Sequence, residues 1–144
     1  MNRWLLIILV ISSIWGCTST EKNENTPEGL FKQGQEFIKD ERYDLAIQRF
    51  QDVKNKFPYS ALATQSELEI ADAYFKQESF AEAQIAYQGF RDLHPKHPKI
   101  DYVIYQLGMS YFKQLPSTND RDLTLALDAI RNFQEVLSRF PTSE

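Results

Sequence analysis

The chain has one thiol, Cys17, and two imidazoles, His94 and His97, among 144 residues. A lone cysteine cannot close a disulfide within the chain, and two histidines with no second thiol do not assemble a histidine/cysteine zinc site. Both histidines stand in His94-Pro95-Lys96-His97-Pro98, a double proline turn that caps and redirects a helix. They read as turn residues rather than metal ligands. No glycine-rich phosphate loop and no Gly-x-Ser-x-Gly elbow occurs. Asp40, Glu41 and Asp44 are expected at helix starts, where carboxylates complement the helix dipole. The expectation is a protein without catalysis, cofactor or bound metal. With 16 basic against 20 acidic residues the formal charge is −4, and phosphate backbones should repel the chain, so nucleic acid is not an expected partner. A hydrophobic share of 42% and a charged share of 25% fit one globular domain or a short array.

The first residues have the three-part layout of a secretory leader: Arg3, the apolar run from Trp4 to Ile11, then Ser12 and Ser13 before Ile14-Trp15-Gly16-Cys17. The apolar run is about half of the roughly 20 residues that span a bilayer. Ile-x-Gly-Cys resembles the lipobox of bacterial lipoproteins, although Trp15 stands where a smaller side chain is usual. The resemblance implies cleavage after residue 16, diacylglycerol on the Cys17 sulfur and acylation of the new amine. Thr18, which is not an aspartate, implies sorting to the outer membrane. Residues 17–27 then form a lipidated, solvated linker, since the stretch from Thr18 to Pro27 has no apolar side chain. Both tryptophans, Trp4 and Trp15, leave with the leader.

The body repeats. Ala46-x3-Phe50-x2-Val53-x4-Pro58 recurs as Ala83-x3-Tyr87-x2-Phe90-x4-Pro95 and as Ala129-x3-Phe133-x2-Val136-x4-Pro141. Upstream, Gly34-x2-Phe37 matches Ala71-x2-Tyr74 and Gly108-x2-Tyr111, at a spacing of 37 residues. The third copy carries an insertion around Leu115 to Leu123 with loop chemistry at Pro116, Ser117, Asn119 and Asp120. Small residues at matched positions let two helices approach closely. Each closing proline forces its predecessor out of the helical region, so Phe57, His94 and Phe140 should end their helices. The pattern resembles the tetratricopeptide repeat, with position 1 at Pro27, Thr64 and Asp101. Gln33 and Glu67 depart from it, standing where a large apolar residue is usual. The extra residues after each proline should lengthen the helices that follow. The fold class expected is all-α: a right-handed superhelix of about three helical hairpins over 28–144, with repeats near 27–63, 64–100 and 101–144.

The same resemblance places positions 2, 5, 9, 12 and 13 on the concave face. These are Glu28, Phe31, Gln35, Ile38 and Lys39; Gln65, Leu68, Asp72, Phe75 and Lys76; and Tyr102, Tyr105, Met109, Phe112 and Lys113. Helix 101–113 is apolar nearly all round, because Ile104, Leu107, Gly108 and Tyr111 already form a packing stripe. The second stripe either packs against a neighbour or forms an aromatic groove for an extended peptide. Lys39, Lys76 and Lys113 are either solvated tips or the rim of that groove, drawing in a peptide carboxylate.

From Leu93 to Phe112 the likeness narrows. Leu-His-Pro-Lys-His-Pro followed by Asp101-Tyr102, the loop Asp120-Arg121-Asp122, and Arg139-Phe140-Pro141-Thr142-Ser143, with a lipobox upstream, resemble the BamD family of the outer-membrane β-barrel assembly machinery. That resemblance implies a scaffold on the periplasmic face of the outer membrane of a Gram-negative bacterium. It would receive unfolded outer-membrane proteins through their aromatic C-terminal signal, and contact a BamA-like barrel subunit and a BamC-like lipoprotein. Members have about five repeats; a three-repeat array is expected to expose apolar surface on its last helix. The alternative is a generic tetratricopeptide lipoprotein scaffolding cell-envelope or secretion complexes.

Overall fold

A computed structural model describes residues 25–116 and 123–142. The leader, Cys17, most of the linker and the centre of the inserted loop lie outside the described residues. All regular structure among the described residues is helical: α1 (Pro27–Lys39), α2 (Tyr43–Lys56), α3 (Ala61–Lys76), α4 (Phe80–Leu93), α5 (Ile100–Lys113) and α6 (Thr124–Arg139). Each helix packs on its chain neighbours, and α1 also touches α3. The helices pair as three hairpins, α1–α2, α3–α4 and α5–α6, the tetratricopeptide-like all-α fold the repeat predicts.

The pairing follows from the small residues. A Cβ built on Gly34 would lie 2.6 Å from the Phe50 ring, and one on Gly108 would lie 2.7 Å from the Phe133 ring. Glycine therefore lets α1 meet α2, and α5 meet α6, with an aromatic ring filling the gap. Ala46, Ala71 and Ala83 are fully buried and Ala129 nearly so.

Two apolar clusters follow. Leu30, Phe31, Ala46, Ile47, Phe50 and Val53 meet Ile70 and Ala73 of α3. Leu68 and Ala71, also on α3, join Ala83, Tyr87, Phe90, Ile100, Val103, Ile104 and Leu107. The middle helix thus serves both cores from different faces.

The C-terminal ends of α2, α4 and α6 are built alike. Phe57 (φ −131°, ψ 55°), His94 (φ −127°, ψ 53°) and Phe140 (φ −132°, ψ 59°) cap them, each before a proline. The hairpin turns differ from expectation. Asp40 is the C-cap of α1 and Glu41 sits at φ 57°, so only Asp44 falls in a first helical turn. Glu78 repeats Glu41 at φ 62°. Both are left-handed closures: Arg42 N–H reaches the Phe37 carbonyl at 2.8 Å and Ser79 N–H the Tyr74 carbonyl at 3.0 Å.

Helix lengthening occurs in α3 alone. It starts at Ala61, three residues before Thr64, where Ser60 accepts the Leu62 N–H at 3.2 Å. In the next repeat Pro98 holds the extra residues in the turn, and α5 begins only at Ile100. Glu67, at an ordinarily apolar position, is accommodated by pairing: its carboxylate lies 2.7 Å from His94 Nε2 and 3.3 Å from Lys54 Nζ. The His94 and His97 rings both pack on Phe90, the turn role read from the prolines. On α6, Leu127, Ile130 and Leu137 are 50–74% exposed, whereas Ile47, at the register of Ile130, is 6% exposed beneath α3.

Candidate functional site

The inward residues divide into three groups. Phe31 and Leu68 have no surface to offer: Phe31 stacks on Phe50 at 5.3 Å between centroids, and Leu68 lies in the second core. Their position in the repeat is covered because α1 and α3 each bury two faces. Ile38 and Phe75 are half-buried, with Phe75 wedged against Phe80 at 5.3 Å and Tyr87 at 6.5 Å. The third group is open. Tyr102, Tyr105 and Phe112 are 37%, 46% and 52% exposed, with Met109 half-buried between them. These four form one stripe of α5, opposite the face where Val103, Ile104 and Leu107 are fully buried. The Tyr105 ring leans on Phe133 of α6 at 5.8 Å, which holds it upright while leaving its outer face free.

Lys39, Lys76 and Lys113 are each the last residue of α1, α3 and α5 and all are exposed. A cation there complements the helix C-terminus, and the recurrence puts three ammonium groups at the hairpin-turn end of the array.

Asp72 joins the site through contacts that its place in the repeat does not foretell. Its carboxylate accepts hydrogen bonds from Tyr87 at 2.5 Å and Tyr102 at 2.9 Å, and Gln106 Nε2 donates to the Tyr102 oxygen at 3.1 Å. This ties α3, α4 and α5 together beneath the stripe and fixes the Tyr102 ring. Burial raises the Asp72 pKa, although the two phenols, Lys76 and Lys99 pull it back. Burial and then the Asp72 charge push Tyr102 up to about 12, so it remains a neutral donor. Glu69, one turn earlier on α3, is raised by burial and by Asp72. The signal in the sequence was a single carboxylate between Ala71 and Ala73 at an inward position.

The site thus combines an aromatic stripe on a packed helix, lysines at the ends of three helices, and a phenol held by a buried carboxylate. Stacked hairpins with one open face define a tetratricopeptide-type scaffold. The outer membrane lipoprotein family YfiO matches residues 23–144. The outer membrane protein assembly factor BamD of Neisseria gonorrhoeae is 33% identical over 126 residues, covering 81% of this chain and 47% of the relative. BamD of Vibrio cholerae is 25% identical over 94% of this chain and 61% of its own length, and that of Caulobacter vibrioides is 27% identical over 95% and 47%. The chain belongs to the BamD family. It spans about half the length of the curated relatives it matches. No helix among the described residues is long and apolar enough to cross a membrane.

Proposed function

We propose that this chain is the client-receiving part of a lipid-anchored scaffold for outer-membrane β-barrel assembly. Cys17 carries the acyl anchor at the periplasmic face of the outer membrane. The groove of Ile38, Phe75, Tyr102, Tyr105, Met109 and Phe112 takes the aromatic C-terminal segment of unfolded outer-membrane proteins, with Lys39, Lys76 and Lys113 at its rim. The complete assembly docks to a BamA-like barrel subunit and a BamC-like lipoprotein. The observation that carries this reading is the α5 stripe: three aromatic side chains 37–52% exposed on a helix whose other face is fully packed. Solvated aromatics held in place by a core are poised to lose water to a partner at little conformational cost.

The test is titration of a labelled peptide ending in an aromatic residue into the chain from residue 17 onward. Replacing Tyr105 and Phe112 together with alanine should weaken binding by about 30-fold or more, the scale of an aromatic hot spot. Amidating the peptide carboxyl should weaken it further if the lysine rim reads the terminus. Unchanged affinity for the double variant would remove the groove from this proposal.

A further inference from the structure

The two ends of the hairpin array differ in how their charges are arranged. At one end lie the hairpin turns, where cations and carboxylates mix: Lys39 and Arg42 with Asp40, Glu41 and Asp44, and Lys76 with Glu78 and Glu82. At the other end lie the turns between hairpins, where the carboxylates stand only at the margins: Asp52 and Glu67 pair with Lys56 and Lys54, and Asp92 and Asp101 flank the second turn. The stretch 53–66 contains Lys54 and Lys56 with no acidic residue, and 93–100 contains Lys96 and Lys99 with none, in a chain whose formal charge is −4. Among the described residues neither Lys96 nor Lys99 forms an ion pair.

Each of these turns also presents a bare apolar side chain. Tyr59 is fully exposed and Leu93 is 68% exposed. The two turns carry the pair at equivalent repeat positions with roles exchanged: Lys56 and Tyr59 in the first, Leu93 and Lys96 in the second. The chain enters the fold at this same end. Lys56 Nζ donates to the Asn25 side chain at 3.4 Å, and from Asn25 back to Cys17 a fully extended chain reaches at most about 28 Å.

We propose that this end of the array rests on an anionic lipid surface, with Lys56, Lys96 and Lys99 at the headgroups and Tyr59 and Leu93 in the interface. Basic residues beside amphipathic aromatics are what such a surface accepts. The contact orients the scaffold, so that the α5 stripe starts near the bilayer at Tyr102 and runs away from it. It rests on the lipid attachment at Cys17 only for the length of the tether.

The test uses the chain from residue 17 with Cys17→Ser, which cannot be acylated, and vesicles of phosphatidylethanolamine with phosphatidylglycerol, or of phosphatidylcholine alone. Since both tryptophans precede residue 17, Tyr59→Trp supplies a unique reporter and Phe112→Trp a control at the far end of α5. The first should shift to the blue with phosphatidylglycerol vesicles, and the second should not. Lys96→Gln with Lys99→Gln should weaken binding roughly 25-fold, taking about fivefold per lysine. Absence of binding, equal binding to phosphatidylcholine, or indifference to the lysine pair overturns the proposal. A missing acyl mass on Cys17 in the wild-type chain would sink the anchor instead, and leaves these vesicle results standing.

Discussion

One substitution, glycine to alanine, should move stability in opposite directions at different sites of this fold. In a helix interior alanine is favoured over glycine by about 1 kcal/mol. A methyl group added at Gly89 of α4 would meet no neighbouring atom within 4 Å, so Gly89→Ala should gain close to that full amount. At Gly34 the added carbon would meet three Phe50 ring atoms at 2.6, 2.8 and 2.9 Å. Phe50 is fully buried and stacked on Phe31, so the ring has nowhere to go. Overpacking of this kind costs about 3 kcal/mol at the upper end of its usual range, and the net effect of Gly34→Ala is a loss of about 2 kcal/mol. Gly108 meets Phe133 at 2.7 Å, but Phe133 is only half-buried and belongs to the less covered helix α6, so its ring can give and the loss should be smaller. Urea unfolding followed by circular dichroism should order the proteins Gly89→Ala, wild type, Gly108→Ala, Gly34→Ala from most to least stable. A Gly34→Ala protein as stable as wild type would show that α1 and α2 do not approach as described, and the hairpin geometry built on it would fall.

The hairpin turns offer a gain. Glu41→Gly and Glu78→Gly relieve left-handed backbones at φ 57° and 62° and should each stabilise by about 0.5 kcal/mol after the added freedom of the unfolded chain, additively, as urea midpoints will report. Asp72 sets a pH dependence. Its folded pKa is raised by burial, so the native state holds the proton more tightly than the unfolded chain; the stabilisation is complete below the unfolded pKa of about 3.9 and is lost as pH rises through the folded value. Asp72→Asn should flatten that part of the stability profile and raise stability at neutral pH, whereas Tyr102→Phe, which removes a donor to the carboxylate, should lower it. Glu69 shifts the same way, so some slope should survive in Asp72→Asn.

Much of the fold was legible because its determinants are local and repeat. A proline constrains the residue before it whatever lies elsewhere, which is why Phe57, His94 and Phe140 adopt one conformation. A glycine three residues before an aromatic marks a close approach, and Gly34 and Gly108 behave accordingly. Phe31 and Leu68 resisted because their fate depends on a third helix. A single hairpin leaves that arc open, and only stacking closes it. The Asp72 network joins residues 15 and 30 positions apart, a meeting set by how hairpins stack rather than by any spacing within one. Glu41 and Glu78 conceal their turn geometry, since glycine or asparagine is the residue that advertises a left-handed closure.

If the proposed groove is right, the stripe also sets the size of the peptide it would hold. From Tyr102 to Phe112 the helix rises about 15 Å at 1.5 Å per residue, and an extended peptide covers that in about five residues at 3.3 Å each. Only alternate side chains of such a peptide face the helix, so two or three aromatic or aliphatic residues make the contact and those between them face solvent. Lengthening a client peptide from three to five residues should therefore strengthen binding steeply, and extension to eight should add little. Moving its apolar residues by one position should abolish the gain, because every contact turns outward together. Affinity that kept rising through eight residues, or ignored the alternation, would place the peptide elsewhere than along α5.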